Sequence, residues 1–127
     1  PLLARLTSDA GSLFYATATG RLAEQNITFD DRSSVCVVLT SGGYPGPYTK
    51  GIPITGLDAA GALEHVEVIH AGTRQEGGKI VTNGGRVLGV TALGDTIQAA
   101  TRRAYTAAEQ IHFEGVQMRR DIAASVL

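Results

Sequence analysis

An α+β domain is the fold class this sequence predicts: a small, mostly antiparallel sheet packed against one long helix, preceded by a helical arm. Three observations lead there. Between Ser34 and Thr91 the apolar residues fall into short β-rich runs broken by glycine and proline. Residues 95–111 carry one continuous helical apolar face. Residues 1–22 show a weaker helical spacing, followed by a polar connection over 23–33. A chain of 127 residues suits one core and argues against two independent ones. The expected division is an arm and linker over 1–33 and an α+β domain over 34–127.

In the arm, Leu2, Leu3, Leu6, Leu13 and Phe14 set the helical spacing, Ser8 or Asp9 supplies a cap, and Gly20 a stop. Gly11 weakens the pattern. The continuous run Ser34–Thr40 reads as a strand covered on both faces. It ends in Ser41-Gly42-Gly43-Tyr44-Pro45-Gly46-Pro47-Tyr48, where glycine and proline forbid regular structure. Residues 52–55 and Val66–His70 predict short strands, with a helical turn over 58–63 between them. Lys79–Thr82 and Arg86–Thr91 flank Asn83-Gly84-Gly85, which predicts a hairpin because asparagine and glycine tolerate positive φ. In the long helix Asp95 is the expected cap, with Gln98 returning the bond. Ile97, Thr101, Ala104, Ala108 and Ile111 form its apolar face, which leaves Arg102, Arg103, Glu109 and Gln110 largely to solvent. A short strand over 113–118 and an irregular terminus complete the reading.

Composition narrows the function classes. A hydrophobic share of 43% and a charged share of 18% are those of a folded domain, not a disordered tail. The net charge of -1 gives no electrostatic reason to expect nucleic acid or an acidic membrane surface. The apolar runs are far too short to span a bilayer, and no basic-then-apolar leader opens the chain. Cys36 is the one cysteine, so no disulfide forms within the chain; its apolar neighbours predict a buried, inert thiol in a reducing cytoplasm. The first residue is Pro1, which predicts a trimmed start or an excised piece of a longer protein. All basic residues except Lys50 and Lys79 are arginine, whose planar fork suits carboxylate and phosphate.

His65, His70 and His112 lie on separate predicted elements with no helical pairing, so no metal site is expected from them. Ser41-Gly42-Gly43 follows a predicted strand, so it reads either as an anion cradle of backbone N–H groups or as a plain tight loop. It lacks the Gly-Lys-Ser/Thr ending of a nucleotide loop. Tyr44 and Tyr48 read as contact residues or as packing anchors beside prolines. Arg86 stands directly after Gly84-Gly85: the glycines let a ligand approach the backbone, and the guanidinium can grip a phosphate with two parallel bonds. The alternative is a solvated arginine at a hairpin mouth. Arg119-Arg120-Asp121 is likewise an anion clamp or a surface ion pair, and Asp30-Asp31 a solvated linker pair. No nucleophile beside a base can be argued, nor a carboxylate cluster suited to magnesium.

The same loops carry a resemblance. Ser41-Gly42-Gly43-Tyr44-Pro45-Gly46, Tyr48-Thr49-Lys50-Gly51, Ile54-Thr55-Gly56, His70-Ala71-Gly72-Thr73, the run Thr82–Gly94 and Ile111-His112-Phe113-Glu114-Gly115 appear in the order of a known domain. Together they resemble the C-terminal domain of phosphoribosylamine–glycine ligase, also called glycinamide ribonucleotide synthetase. The arm, with Leu3-Ala4-Arg5-Leu6 and Ser8-Asp9, is similar to the last stretch of that family's preceding ATP-grasp domain.

The resemblance implies a carbon–nitrogen ligase of purine biosynthesis, cytoplasmic, joining glycine to 5-phosphoribosylamine with ATP. ATP and magnesium belong, in that family, to the ATP-grasp domain. On its own this stretch of chain is therefore expected to bind neither cofactor and to be inactive, with the rest of the ligase polypeptide as its partner. Arg86 matches the arginine that holds the ribose phosphate in related enzymes, with Gly85, Gly42, Gly43, Tyr44 and Lys79 as companions on the substrate side. Ala123-Ala124-Ser125 departs from the family's glycine, tryptophan and arginine after Arg-Asp-Ile. Two further readings stand beside this one. A non-catalytic binding or assembly module would dock on a separate ATP-grasp chain, and a stand-alone hydrolase would need the missing nucleophile and base. The arm is expected to pack back on the domain or to mediate a dimer, burying Leu2, Leu6, Leu13 and Phe14.

Overall fold

A computed structural model describes residues 1–126. Its frame is a three-stranded antiparallel sheet with β1 (Ser33–Thr40) and β2 (Val66–His70) on either side of β5 (Arg86–Gly94). The register pairs Val35 with Ala92, Val37 with Val90 and Leu39 with Leu88, so these side chains share one face. Helix α4 (Ile97–Ala108) lies across that face and buries Ala100, Ala104, Ala107 and Ala108 against it. Small residues permit the close approach: a Cβ on Gly94 would stand 2.5 Å from the Ala100 nitrogen. The α+β class predicted from the sequence is the one observed.

The helix is shorter than its sequence pattern. Its cap is Thr96, whose hydroxyl accepts from the Ala99 N–H at 3.1 Å; Asp95, the expected cap, stands one residue outside. Ile111 is buried beyond the helix end, and Arg103 is half-buried because its guanidinium donates to the Leu93 carbonyl. Helix α3 (Leu57–Gly61) takes the place of the expected turn at 58–63.

The expected hairpin is a correction. Strand β4 (Lys79–Thr82) does not pair with β5; it pairs with β3 (Thr73–Glu76), forming a separate two-stranded sheet. Gly77 and Gly78 make that turn with φ of 55° and 78°, the left-handed pair a two-residue hairpin requires. Gly84 and Gly85 have no positive φ. They are glycines because other groups occupy their Cβ positions. Residues 52–55 and 113–118 form isolated bridges, not strands: Pro53 pairs with Val81, Thr55 with His112 and Thr40 with Gln117.

The face of the sheet away from α4 carries Cys36, Val38, Ile69, Gly89 and Thr91. Cys36 is half-buried there, not sealed in the core as its apolar neighbours suggested; strand alternation turns it away from α4. The arm is broken into α1 (Leu2–Arg5) and α2 (Ala10–Ala18). Asp9 caps α2, accepting from the Ser12 N–H at 2.6 Å. The arm closes on itself, with the Thr7 N–H donating to the Thr28 carbonyl and the Asp30 N–H to the Arg5 carbonyl. Helix α1 rests on β1 and β5, and the Ser34 hydroxyl donates to the Pro1 carbonyl. Leu6 and Leu13 are half-buried, but Leu2 and Phe14 each remain 67% exposed, so the chain alone does not bury that set.

Candidate functional site

Two loops meet at one end of β5. The segment after β1 crosses beneath the segment before β5, and Ser41 joins them. Its N–H donates to the Gly85 carbonyl at 2.8 Å, and its hydroxyl donates to the Gly84 carbonyl at the same distance. The Tyr44 N–H turns back to the Ser41 carbonyl at 3.1 Å. The Ser41 amide, one of the three that an anion cradle at Ser41-Gly42-Gly43 would use, is thus committed to the fold itself.

The glycines here admit the protein's own groups. A Cβ on Gly85 would stand 2.0 Å from the Tyr44 ring, which lies over it. One on Gly72 would stand 2.7 Å from the Gly84 Cα, where two backbones cross. Gly42 abuts the Gly115 carbonyl, and Gly43, at φ 91°, abuts that of Pro47. The approach to Gly84 and Gly85 that the sequence offered to a ligand is taken by Gly72 and Tyr44.

Arg86 emerges from this support onto the surface. It lines a groove of about 860 Å³ between the sheet edge and the C-terminal segment, whose other wall includes Val116, Met118 and Ile122. It also lines a neighbouring recess of about 630 Å³ over the open sheet face, beside Cys36, Ile69 and Gly89. Val38 and Tyr44 border both hollows. Among the described residues no carboxylate pairs with Arg86. The other cations of the groove are engaged: Arg119 grips both oxygens of Asp121 at 2.8 and 2.7 Å, and Arg120 reaches Glu109 at 2.6 Å. The guanidinium of Arg119 holds the Asp121 carboxyl below its ordinary pKa. Of the two readings of that cluster, the ion pair is the one formed.

Lys79 is not brought to Arg86. It opens β4 at the Gly77–Gly78 turn of the second sheet and lines neither hollow. Tyr48 packs edge-on to Tyr44, with ring centroids 6.3 Å apart. The histidines lie apart: His65 contacts Arg32 and Glu64, His70 contacts Thr73, and His112 bridges to Thr55 through its backbone. Among the described residues there is no group of three or more His, Cys, Asp or Glu arranged to hold a metal. Among the described residues no helix is long and apolar enough to cross a membrane. Sequence reasoning missed the groove wall at Val116, Met118 and Ile122. Only the alternation of Val116 and Met118 hints at it, and by itself that alternation reads as a strand.

The same loops are shared with known proteins. Residues 34–125 match the family described as phosphoribosylglycinamide synthetase, C domain. A phosphoribosylamine–glycine ligase of Rhodopirellula baltica is 46% identical over 128 residues, covering 100% of this chain and 29% of the relative. One from Synechocystis is 54% identical over 95 residues, covering 75% of this chain and 22% of the relative. The crystal structure of phosphoribosylamine–glycine ligase from Thermotoga maritima superposes with a TM-score of 0.68 at 35% identity, covering 88% of this chain and 28% of that one. The chain thus spans less than a third of the length of these relatives.

Proposed function

This chain belongs to the phosphoribosylglycinamide synthetase C-domain family, and from that premise we propose that it is the substrate-side domain of a cytoplasmic ligase joining glycine to 5-phosphoribosylamine. The observation that carries the reading is Arg86: an exposed guanidinium at the lip of a groove, with no carboxylate partner among the described residues. Its role is to hold the ribose phosphate. A planar fork of N–H donors meets two phosphate oxygens at once. Tyr44 borders the same lip and Gly85 seats its ring, whereas Gly42 lines a separate hollow beside Glu114 and Gly115. Lys79 lies on the second sheet and lines neither of the Arg86 hollows.

Magnesium finds no acidic cluster among the described residues. Asp121 and Glu109 are paired with the groove's Arg119 and Arg120. By family resemblance, energy coupling is assigned to the rest of such a ligase, and the chain alone is expected not to turn over substrate. The test is steady-state kinetics on a full-length ligase carrying Arg86→Ala. The Michaelis constant for 5-phosphoribosylamine should rise about tenfold or more while those for ATP and glycine hold, because one charge-assisted pair contributes about 1.5–3 kcal/mol. Equal constants for 5-phosphoribosylamine would remove Arg86 from the site.

The exposed arm favours a second reading, in which the domain is a non-catalytic assembly module on a separate ATP-grasp chain or forms a dimer. Leu2, Leu3, Phe14 and Tyr15 are all more than half exposed, an apolar set that a partner would cover. Sedimentation of the chain with and without Phe14→Asp distinguishes these: a monomer in both cases excludes self-association through the arm.

A further inference from the structure

We infer that Ser41 is a positioning residue for Arg86, an inference that rests on the phosphate-holding role of that arginine. Ser41 is 2% exposed and lines neither hollow, so it cannot touch a ligand held in them. Its bonds nonetheless converge on one place. The hydroxyl and the N–H of this one residue hold the carbonyls of Gly84 and Gly85, the two peptides immediately before Arg86. From the other side the Gly72 N–H donates to the Arg86 carbonyl at 2.9 Å, and the Asn83 N–H donates to the Gly72 carbonyl at 2.7 Å. Tyr44, whose backbone N–H donates to the Ser41 carbonyl, closes its ring over Gly85.

The consequence is a rigid root beneath a free tip. An arginine side chain has many rotamers, and the direction its guanidinium samples depends on where its Cα is anchored. Here the backbone is fixed on both sides while no carboxylate among the described residues pulls the guanidinium aside. The hydroxyl at position 41 reaches the Gly84 carbonyl at 2.8 Å, and alanine would leave that half-buried oxygen without this partner. Loss of the tie lets the segment 83–86 shift, and a misplacement of about 1 Å at a substrate-positioning group costs up to two orders of magnitude in rate.

The test is a double-mutant comparison in the full-length ligase, with Ser41→Ala, Arg86→Ala and the pair measured together. Ser41→Ala should raise the Michaelis constant for 5-phosphoribosylamine by about fivefold to tenfold and leave those for ATP and glycine within about twofold. In the Arg86→Ala background the same change should add nothing, because the group it positions is gone. A constant unchanged by Ser41→Ala, or raised equally in both backgrounds, overturns the positioning role while leaving Arg86 in place. An Arg86→Ala enzyme with unaltered constants instead overturns the underlying reading. If Ser41→Ala does not give folded enzyme, Ser41→Cys fills the same space with a thiol that donates only weakly to the Gly84 carbonyl. It should give the same selective rise, and wild-type constants there refute the inference.

Discussion

Substitution of Gly56 by alanine should unfold this domain well below its normal midpoint, and the magnitude follows from two local features. Gly56 has φ 81°, a conformation that costs an L-residue about 1–2 kcal/mol. The added Cβ would also stand 1.8 Å from the Gln110 carbonyl oxygen and 2.8 Å from its carbon, which is backbone and cannot rotate away. Relief requires the 110–112 segment to retreat. That strains the reciprocal bonds between Thr55 and His112, at 2.9 and 3.0 Å, each contributing about 1 kcal/mol. The sum is about 3–4 kcal/mol, a large share of the 5–15 kcal/mol that holds an ordinary domain. At about 3–6 °C per kcal/mol for a chain of this size, the melting temperature should fall by about 10–20 °C. Circular dichroism during a thermal ramp measures it. Gly61→Ala is the control: it lies in α3 with open space at its Cβ, so it should be neutral or slightly stabilising. A Gly56→Ala midpoint within about 3 °C of the parent would refute the reasoning.

The observed helix cap gives a second expectation. Thr96→Ala should cost about 1 kcal/mol and Asp95→Ala almost nothing, read by urea unfolding; the reverse order would restore Asp95 as the cap. A third concerns acid. The side-chain bonds from Arg32 hold the Asp30 carboxyl at about 2, against 3.8 for the free group. The native form thus releases this proton more readily than the unfolded chain, so its contribution is complete above about 3.8 and lost as pH falls through about 2. The stability gap between wild type and Asp30→Asn should therefore be flat near neutrality and close over that acid window. A gap independent of pH would contradict it.

The strands and the long helix were legible because burial writes a pattern into the sequence. Ser34–Thr40 is an unbroken β-rich run followed by a glycine- and proline-rich loop, and the alanines of α4 recur at helical spacing. Pairing was not legible in the same way. Asn83-Gly84-Gly85 and Glu76-Gly77-Gly78-Lys79 both look like turns, and only tertiary contact shows that the first pair of glycines makes room for Tyr44 and Gly72. The thiol is misread for a related reason: a continuous apolar run does not reveal that one face of its strand lacks a covering helix. The groove depended on segments far apart in the chain, joined by the Thr40–Gln117 bridge that no local pattern announces. Arg86 stands out by residue type beside glycine, yet the physical reason for its placement, the Ser41 tie, lies in contacts across more than forty positions.

The most direct measurement is a crystal structure of the full-length ligase with glycinamide ribonucleotide bound. The ribose phosphate should sit at the groove lip with two of its oxygens about 2.8 Å from the Arg86 guanidinium. A phosphate held by other residues, with Arg86 left in solvent, would contradict that assignment.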